Sequence, residues 1–225
     1  MLLRVKFAKK GVVKYIGHLD LMRYFQKAFR RTDIDVSYSG GFSPHMIMSF
    51  AQALGVGVES EGEYFDIEVA DGQDVSLFKD MLNAQMAQGI EVLDITVLPD
   101  KAGNAMASVA ASWYEIDFYE GTNPITFDTI EKFKGLDELV YIKQTKKSSV
   151  EINLPDYVYD IKYIDKGVSF VCDSSSSGNL KPKFLVESLI NLEGLNPEDY
   201  PFHILRKELY LRDKEGNLKP LNYID

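Results

Sequence analysis

The sequence predicts an α+β fold in which the order β-α-β-β-α-β occurs twice along 225 residues. Three observations carry this. Period-two alternation of apolar and polar residues marks strands, helical spacing marks the segments between them, and residues 99–112 differ in texture, being rich in Ala, Gly, Ser and Asn. Together they give two tandem ferredoxin-like (βαββαβ) domains, 1–98 and 113–225, with 99–112 as the connector. No residue-level repeat accompanies the duplication, which is one of element order alone.

In the first half, Leu3, Val5 and Phe7 alternate with Arg4 and Lys6 in a half-buried strand over residues 2–8, which Gly11 ends. A helix is expected from His18 to Thr32. Leu21, Met22, Phe25, Ala28 and Phe29 fall on its core side, Gly17 is its N-cap, and Asp20 stands in its first turn. A short strand over Asp35–Tyr38, the turn Ser39–His45 and an inserted strand Met46–Phe50 follow. Tyr64–Val69 is a strand with Phe65, Ile67 and Val69 inward and Asp66 and Glu68 outward. Residues 74–88 read as a helix and Glu91–Leu98 as the closing strand.

The second half repeats the order. It has a strand at Trp113–Tyr119, a helix at Phe127–Phe133, a strand at Val150–Leu154, and a hairpin of Tyr157–Ile164 and Val168–Cys172 around Lys166-Gly167. A helix at Lys183–Ile190 carries Pro182 in its first turn, and His203–Leu211 is the last strand. Lys146-Lys147 and Ser174–Gly178 read as loops.

Composition narrows the function classes. No apolar run approaches the roughly 20 residues that span a bilayer, so a cytoplasmic location is the expectation. Cys172 is the only cysteine and sits in an apolar run, so no internal disulfide, structural zinc site or self-held iron–sulfur cluster is expected, and no cofactor is assigned to this chain. Net charge is −9, against a generic nucleic-acid coat, but residues 1–50 carry +6 and residues 51–98 carry −9. A locally basic region on an acidic chain fits a specific anionic ligand.

Two of the three histidines fall in Tyr15–Phe50. His18 opens the predicted helix, where the dipole favours a neutral imidazole suited to acid–base work, and Asp20 could orient it. The plainer reading makes His18 a helix-start residue and Asp20 a dipole partner. His45 closes Gly40-Gly41-Phe42-Ser43-Pro44-His45, a turn whose glycines permit positive φ and free their amides for a phosphate or carboxylate. Phe42 and Pro44 are expected at its surface, and Phe42 could equally plug the core. Arg23, Lys27, Arg30 and Arg31 form a cationic helix face, with the last two partly explained by the helix C-terminus. A metal site from His18, His45, Glu59 and Glu61 matches no ligand spacing, and no metal is assigned. On the sheet, the outward residues Arg4, Lys6, Asp66 and Glu68 are expected to pair across neighbouring strands. That leaves Tyr64 as the only stacking surface and shifts the expected contact face to helix and loop.

Arg4-x-Lys-Phe, Lys14-Tyr-Ile-Gly-His-Leu-Asp-Leu, Arg30-Arg31, Tyr38-Ser-x-Gly-Phe-Ser-Pro-His45 and Gly57-Val-Glu-Ser-Glu-Gly-Glu-Tyr64 resemble an uncharacterised bacterial family of radical-SAM-linked proteins. The unit occurs in that family alone or at the C-terminus of a radical SAM protein. The resemblance implies a cytoplasmic bacterial protein working with a radical SAM partner, which would bring the iron–sulfur cluster and S-adenosylmethionine. His18, Asp20, Phe42, Pro44 and His45 match the pattern. Met46-Ile47 stand where the family has Pro and a basic residue, and Gly17 where it has a Ser cap. CRISPR RNA-processing proteins are similar in element order only.

Three functions are consistent with these residues. The first is an accessory protein that holds an RNA, such as tRNA or rRNA, or another anionic substrate through the first helix and the loop 39–45. The second is a metal-independent RNA-processing enzyme using His18 or His45. The third is a protein–protein adaptor whose acidic segment 59–74 docks a radical SAM enzyme.

Overall fold

The alternating run Leu3, Val5, Phe7 forms the central strand β1 (Leu2–Lys9), paired antiparallel with β3 (Glu59–Glu68) on one edge and β4 (Ile90–Leu98) on the other. A short β2 (Met48–Phe50) lies on the far side of β3, so the order is β4-β1-β3-β2. The helices α1 (His18–Phe29) and α2 (Phe78–Asn83) cover one face. Phe7, Phe25, Phe50 and Phe65 form the centre of that core, with ring centroids 4.7 Å apart for Phe7–Phe25 and 4.8 Å for Phe25–Phe65. The computed structural model of the chain describes residues 1–100, 102–119, 121–144 and 149–224, with the side chains of 143 and 144 excepted.

Both helices stop short of their expected ends for local reasons. At the end of α1 the Arg31 and Thr32 amides turn back to the Ala28 and Phe29 carbonyls, and Thr32 Oγ1 also donates to Phe29 O at 2.8 Å. Arg30 and Arg31 therefore follow the helix. The expected helix 74–88 is a 3-10 turn, Val75–Leu77, and then α2. Asn83 ends it by bonding both the amide and carbonyl of Val92, at 2.8 and 2.9 Å. The expected strand Asp35–Tyr38 reduces to single bridges, Val36 with Val69 and Tyr38 with Met46.

Segment 99–112 includes a short α3 (Ala105–Ser108), whose Asn104 caps the Met106 amide. Residues 103–109 pack onto the second face of the β1–β3 sheet, together with the C-terminal residues from Glu208. Ala105, Val109, Leu209 and Leu221 are buried there against Tyr64. The chain forms two compact units, Met1–Ala110 with Glu208–Asp225, and Ala111–Lys207. Glu208–Asp225 thus group with the first unit, whereas the element order of the sequence groups them with 113–225.

The second unit begins with β5 (Ala111–Phe118) and α4 (Phe127–Lys134), which Thr126 and Thr129 start with a reciprocal capping box. β6 (Val140–Gln144), a strand that the sequence pattern does not predict, pairs with β7 (Ser149–Asn153) in a separate ribbon. Tyr141 of this ribbon stacks on Phe184 at 4.2 Å. The hairpin β8 (Val158–Ile164) and β9 (Gly167–Asp173) and the helix α5 (Pro182–Leu192) follow. The last long strand, β10 (Phe202–Arg212), gives the order β10-β5-β9-β8, and β11 (Leu218–Pro220) pairs with its C-terminal end. α4 and α5 close a core of Ile116, Phe133, Phe170, Leu185 and Leu189. Cys172 is part of this core, and burial pushes its thiol far above the ordinary range, so it is packed as a small apolar side chain. Lys146-Lys147 lie outside the described residues. The class is α+β, with a mostly antiparallel sheet and five α-helices among the described residues.

Candidate functional site

The nine cations of residues 1–50 separate by location. Arg4 is buried, and its guanidinium makes a two-point pair with Asp66, at 2.7 and 3.0 Å, directly across the β1–β3 ladder. It also donates to the carbonyls of Gly103 (2.9 Å) and Leu221 (2.8 Å), while Asp66 accepts from the Ala105 amide. Lys6 pairs with Glu208, whose other oxygen accepts from the Tyr64 hydroxyl at 2.6 Å. Arg4 and Asp66 pair across the strands as expected, whereas Lys6 pairs with Glu208 and Glu68 lies opposite Leu2. The two ion pairs face the protein's own covering segments and not solvent, so Tyr64 is no stacking surface. Burial and the Glu208 charge hold the Tyr64 phenol well above its usual range.

Lys9 is buried and donates to Ile16 O, Lys10 pairs with Glu61, and Lys14 pairs with Glu59. Glu59 also accepts from the Gly11 amide, and Glu63 is buried. The acidic stretch at 59–63 is thus engaged by the first unit's own cations and interior. Besides Lys10, the exposed cations of this segment are those of α1 and its end: Arg23, Lys27, Arg30 and Arg31. Arg23 reaches Asp20 at 3.4 Å and Arg31 holds Gln85 at 3.2 Å. Lys27 and Arg30 have no side-chain partner among the described residues.

Beside Arg23 and Lys27 is an open cleft of about 590 Å3, whose other lining residues are Tyr15, Ile16, Gly17, Asp20 and Tyr24. Asp20, Arg23, Tyr24 and Lys27 stand at i, i+3, i+4 and i+7, one face of α1. Tyr24 is fixed by accepting a hydrogen bond from the Ala87 amide at 2.5 Å, and Tyr15 stands under the Lys14 ammonium at 5.7 Å. The sequence pattern does not by itself single out Tyr15 and Tyr24. The spacing that marks the cationic face does take in Tyr24, and Tyr15 has its place one turn before the helix.

The two histidines and Asp20 keep different company. His18 is half-buried, with its ring edge-on to Phe50 at 5.2 Å, so its imidazole is an aromatic neighbour of the core. Asp20 turns to Arg23 instead of His18. His45 Nδ1 lies 2.8 Å from Ser39 Oγ, which also accepts from the His45 amide, while the Ser39 amide donates to His45 O. His45 therefore closes its own loop. No hydrogen bond joins His18, Asp20 and His45 among the described residues.

Within that loop Gly41 has φ +98°, a conformation that needs glycine, whereas Gly40 lies outside the left-handed region. Phe42 is fully exposed, and so is excluded as a core plug, and Pro44 is exposed beside it. No cluster of three or more His, Cys, Asp or Glu capable of holding a metal occurs among the described residues. Nor is any helix of the described residues long and apolar enough to cross a membrane.

Residues 2–182 match a family described as an uncharacterized protein conserved in bacteria, DUF2344. The chain belongs to that family. No curated protein matches this DUF2344 chain. Among solved structures it is similar to a chain in the crystal structure of a Cbf5-Nop10-Gar1 complex, with TM-score 0.50 and 10% identity. The match covers 92% of this chain and 48% of that one, so the DUF2344 chain spans about half the length of the structure it resembles. At that identity the likeness is one of fold alone.

Proposed function

We propose that this DUF2344 protein is an accessory protein of a radical SAM enzyme in the bacterial cytoplasm, holding an RNA or other anionic substrate on the outer face of α1. The observation that carries this reading is the contrast among its cations. Arg4, Lys6, Lys10 and Lys14 are matched by carboxylates, while among the described residues Lys27, on the lining of a cleft bearing two tyrosines, and Arg30, at the end of the same helix, stand unmatched. Cations supply affinity for phosphates, and aromatic rings supply stacking for unpaired bases. The loop 39–45, with Phe42 exposed and the Gly41 amide in a turn, is the second contact. Both units are read as ferredoxin-like, on the orders β4-β1-β3-β2 and β10-β5-β9-β8. The radical SAM partner would bring the cluster and S-adenosylmethionine, since the single buried Cys172 cannot ligate a cluster. Val12, Leu19 and Val56 are exposed apolar residues of the first unit and would be covered by that partner.

The test is filter binding to total bacterial RNA across a salt series, with Lys27→Ala and Arg30→Ala. The reading expects salt-dependent binding that both substitutions weaken. Binding indifferent to salt and to both substitutions contradicts it.

A further inference from the structure

We propose that the second unit carries its own site for a ribonucleotide, taken as a free nucleotide or as one unit of a single strand. The site is the cleft of about 700 Å3 between the end of β5, the start of α4 and the β8–β9 turn. Its volume lies in the range of small-ligand pockets, roughly 300–1,000 Å3. Phe118, Tyr119, Phe127 and Tyr163 line it, with Asp165 and Lys166 also on its lining.

Tyr119, Phe127 and Tyr163 are exposed although they are large aromatic rings. Three such rings around one concavity bury little within the fold itself, and they offer flat faces of the kind that stack on nucleobases. Each is held by its surroundings. His203 packs edge-on to Tyr119 at 4.6 Å, and Phe127 is the first residue of α4, fixed by the Thr126–Thr129 capping box. Tyr163 sits on β8 in register with Val168.

The polar side of the cleft is positioned by close backbone approach. The Phe118 amide donates to Lys166 O at 2.8 Å, and a Cβ added at Gly167 would stand 2.0 Å from Ile116 O. Only glycine lets the hairpin turn press against β5 in this way, which sets Asp165 and Lys166 beside the aromatic wall. Neither of these side chains has a hydrogen-bond or ion-pair partner among the described residues. A carboxylate that accepts from ribose hydroxyls and an ammonium that meets a phosphate, next to ring faces for a base, form the complement of a ribonucleotide. The net charge of this pair is zero, which suits one nucleotide better than a polyanion. The proposal is independent of the α1 face in the first unit.

Calorimetric titration of the full chain with AMP, with ribose 5-phosphate and with a short single-stranded oligo(A) tests it. Saturable AMP binding is expected. Ribose 5-phosphate, which lacks the base, should bind at least about tenfold more weakly, and Phe127→Ala and Tyr163→Ala should each weaken AMP about tenfold. Lys162→Ala, a change at an exposed residue of β8 paired with Asp160, should leave AMP binding unaltered. If the ligand is a strand, the oligonucleotide binds more tightly than AMP and is weakened by the same two aromatic substitutions. Absence of saturable binding by AMP and oligo(A), or binding unchanged in both aromatic variants, overturns the proposal. Failure of RNA binding at the α1 face would leave these expectations standing, because Phe127 and Tyr163 belong to the other unit.

Discussion

The two sides of the first unit use the same residue types for opposite ends. On the outward face of the β1–β3 sheet, Arg4 and Lys6 are matched by Asp66 and Glu208 and sealed under residues 103–109 and the C-terminal segment. On the outer face of α1, Arg23, Lys27 and Arg30 stand in solvent, and among the described residues Asp20 is the one carboxylate that pairs with any of them. A buried cation is held by every bond it makes, and removing a partner strands a charge. An exposed cation contributes little to folding and remains available to a ligand. The +6 of residues 1–50 is thus not one basic surface, since the sheet absorbs much of it and the helix keeps the rest.

That contrast breaks most sharply at Arg4. Arg4→Ala leaves Asp66 buried with its charge uncompensated and should cost about 3–5 kcal/mol in denaturant unfolding. The double change Arg4→Met with Asp66→Leu should recover most of that, because an apolar pair needs no counter-charge. A small loss for Arg4→Ala alone would mean that the covering segments are not closed over this pair.

Tyr64→Phe comes next. It leaves Glu208 short of a hydrogen bond within a buried cluster, at a cost of about 1–3 kcal/mol. The pH dependence has a definite sign. The folded state holds the Tyr64 proton more tightly than the unfolded chain, so its contribution is complete below the ordinary tyrosine value of about 10 and declines as pH rises above it. Wild-type stability should fall more steeply than that of Tyr64→Phe in alkaline unfolding titrations. Parallel curves would show that the phenol is not buried as described.

His18→Ala removes an edge contact with Phe50 and should cost roughly 0.5–1.5 kcal/mol, with His18→Phe restoring most of it. A catalytic imidazole would not tolerate that exchange, so any RNA-processing activity retained by His18→Phe would exclude His18 as its acid or base. Lys27→Ala and Arg30→Ala should change stability by no more than about 0.5 kcal/mol.

Much of this was legible in the sequence, and the failures have identifiable causes. Strict alternation at Leu3–Phe7 and Phe65–Val69, and the spacing Leu21, Phe25, Ala28, Phe29, gave the core face of the first unit, because burial on one side leaves that imprint. The Arg4–Asp66 pairing followed from strand adjacency alone. What covers that pair did not, since Gly103, Ala105 and Leu221 come from distant parts of the chain and carry no periodic signal. The suggested His18–Asp20 pairing failed on helix geometry, because residues two apart on a helix point in different directions, whereas Asp20 and Arg23 share a face. His45 was correctly expected in a displayed turn, but its bond to Ser39 depends on how that turn closes. β6 leaves little signal in the sequence because Val140 and Ile142 are exposed and Tyr141 between them packs by stacking on Phe184.

The distinction between matched and unmatched cations is tested most directly by the salt dependence of RNA binding in two double variants. Replacing both Lys27 and Arg30 by Ala should weaken binding and flatten the slope of log K against log salt by about 0.7–0.9 per residue removed. Replacing both Lys10 and Lys14, which are held by Glu61 and Glu59, should leave the slope near wild type. A flattened slope in the Lys10/Lys14 variant with an unchanged one in the Lys27/Arg30 variant would contradict the assignment of the α1 face as the anion-binding surface.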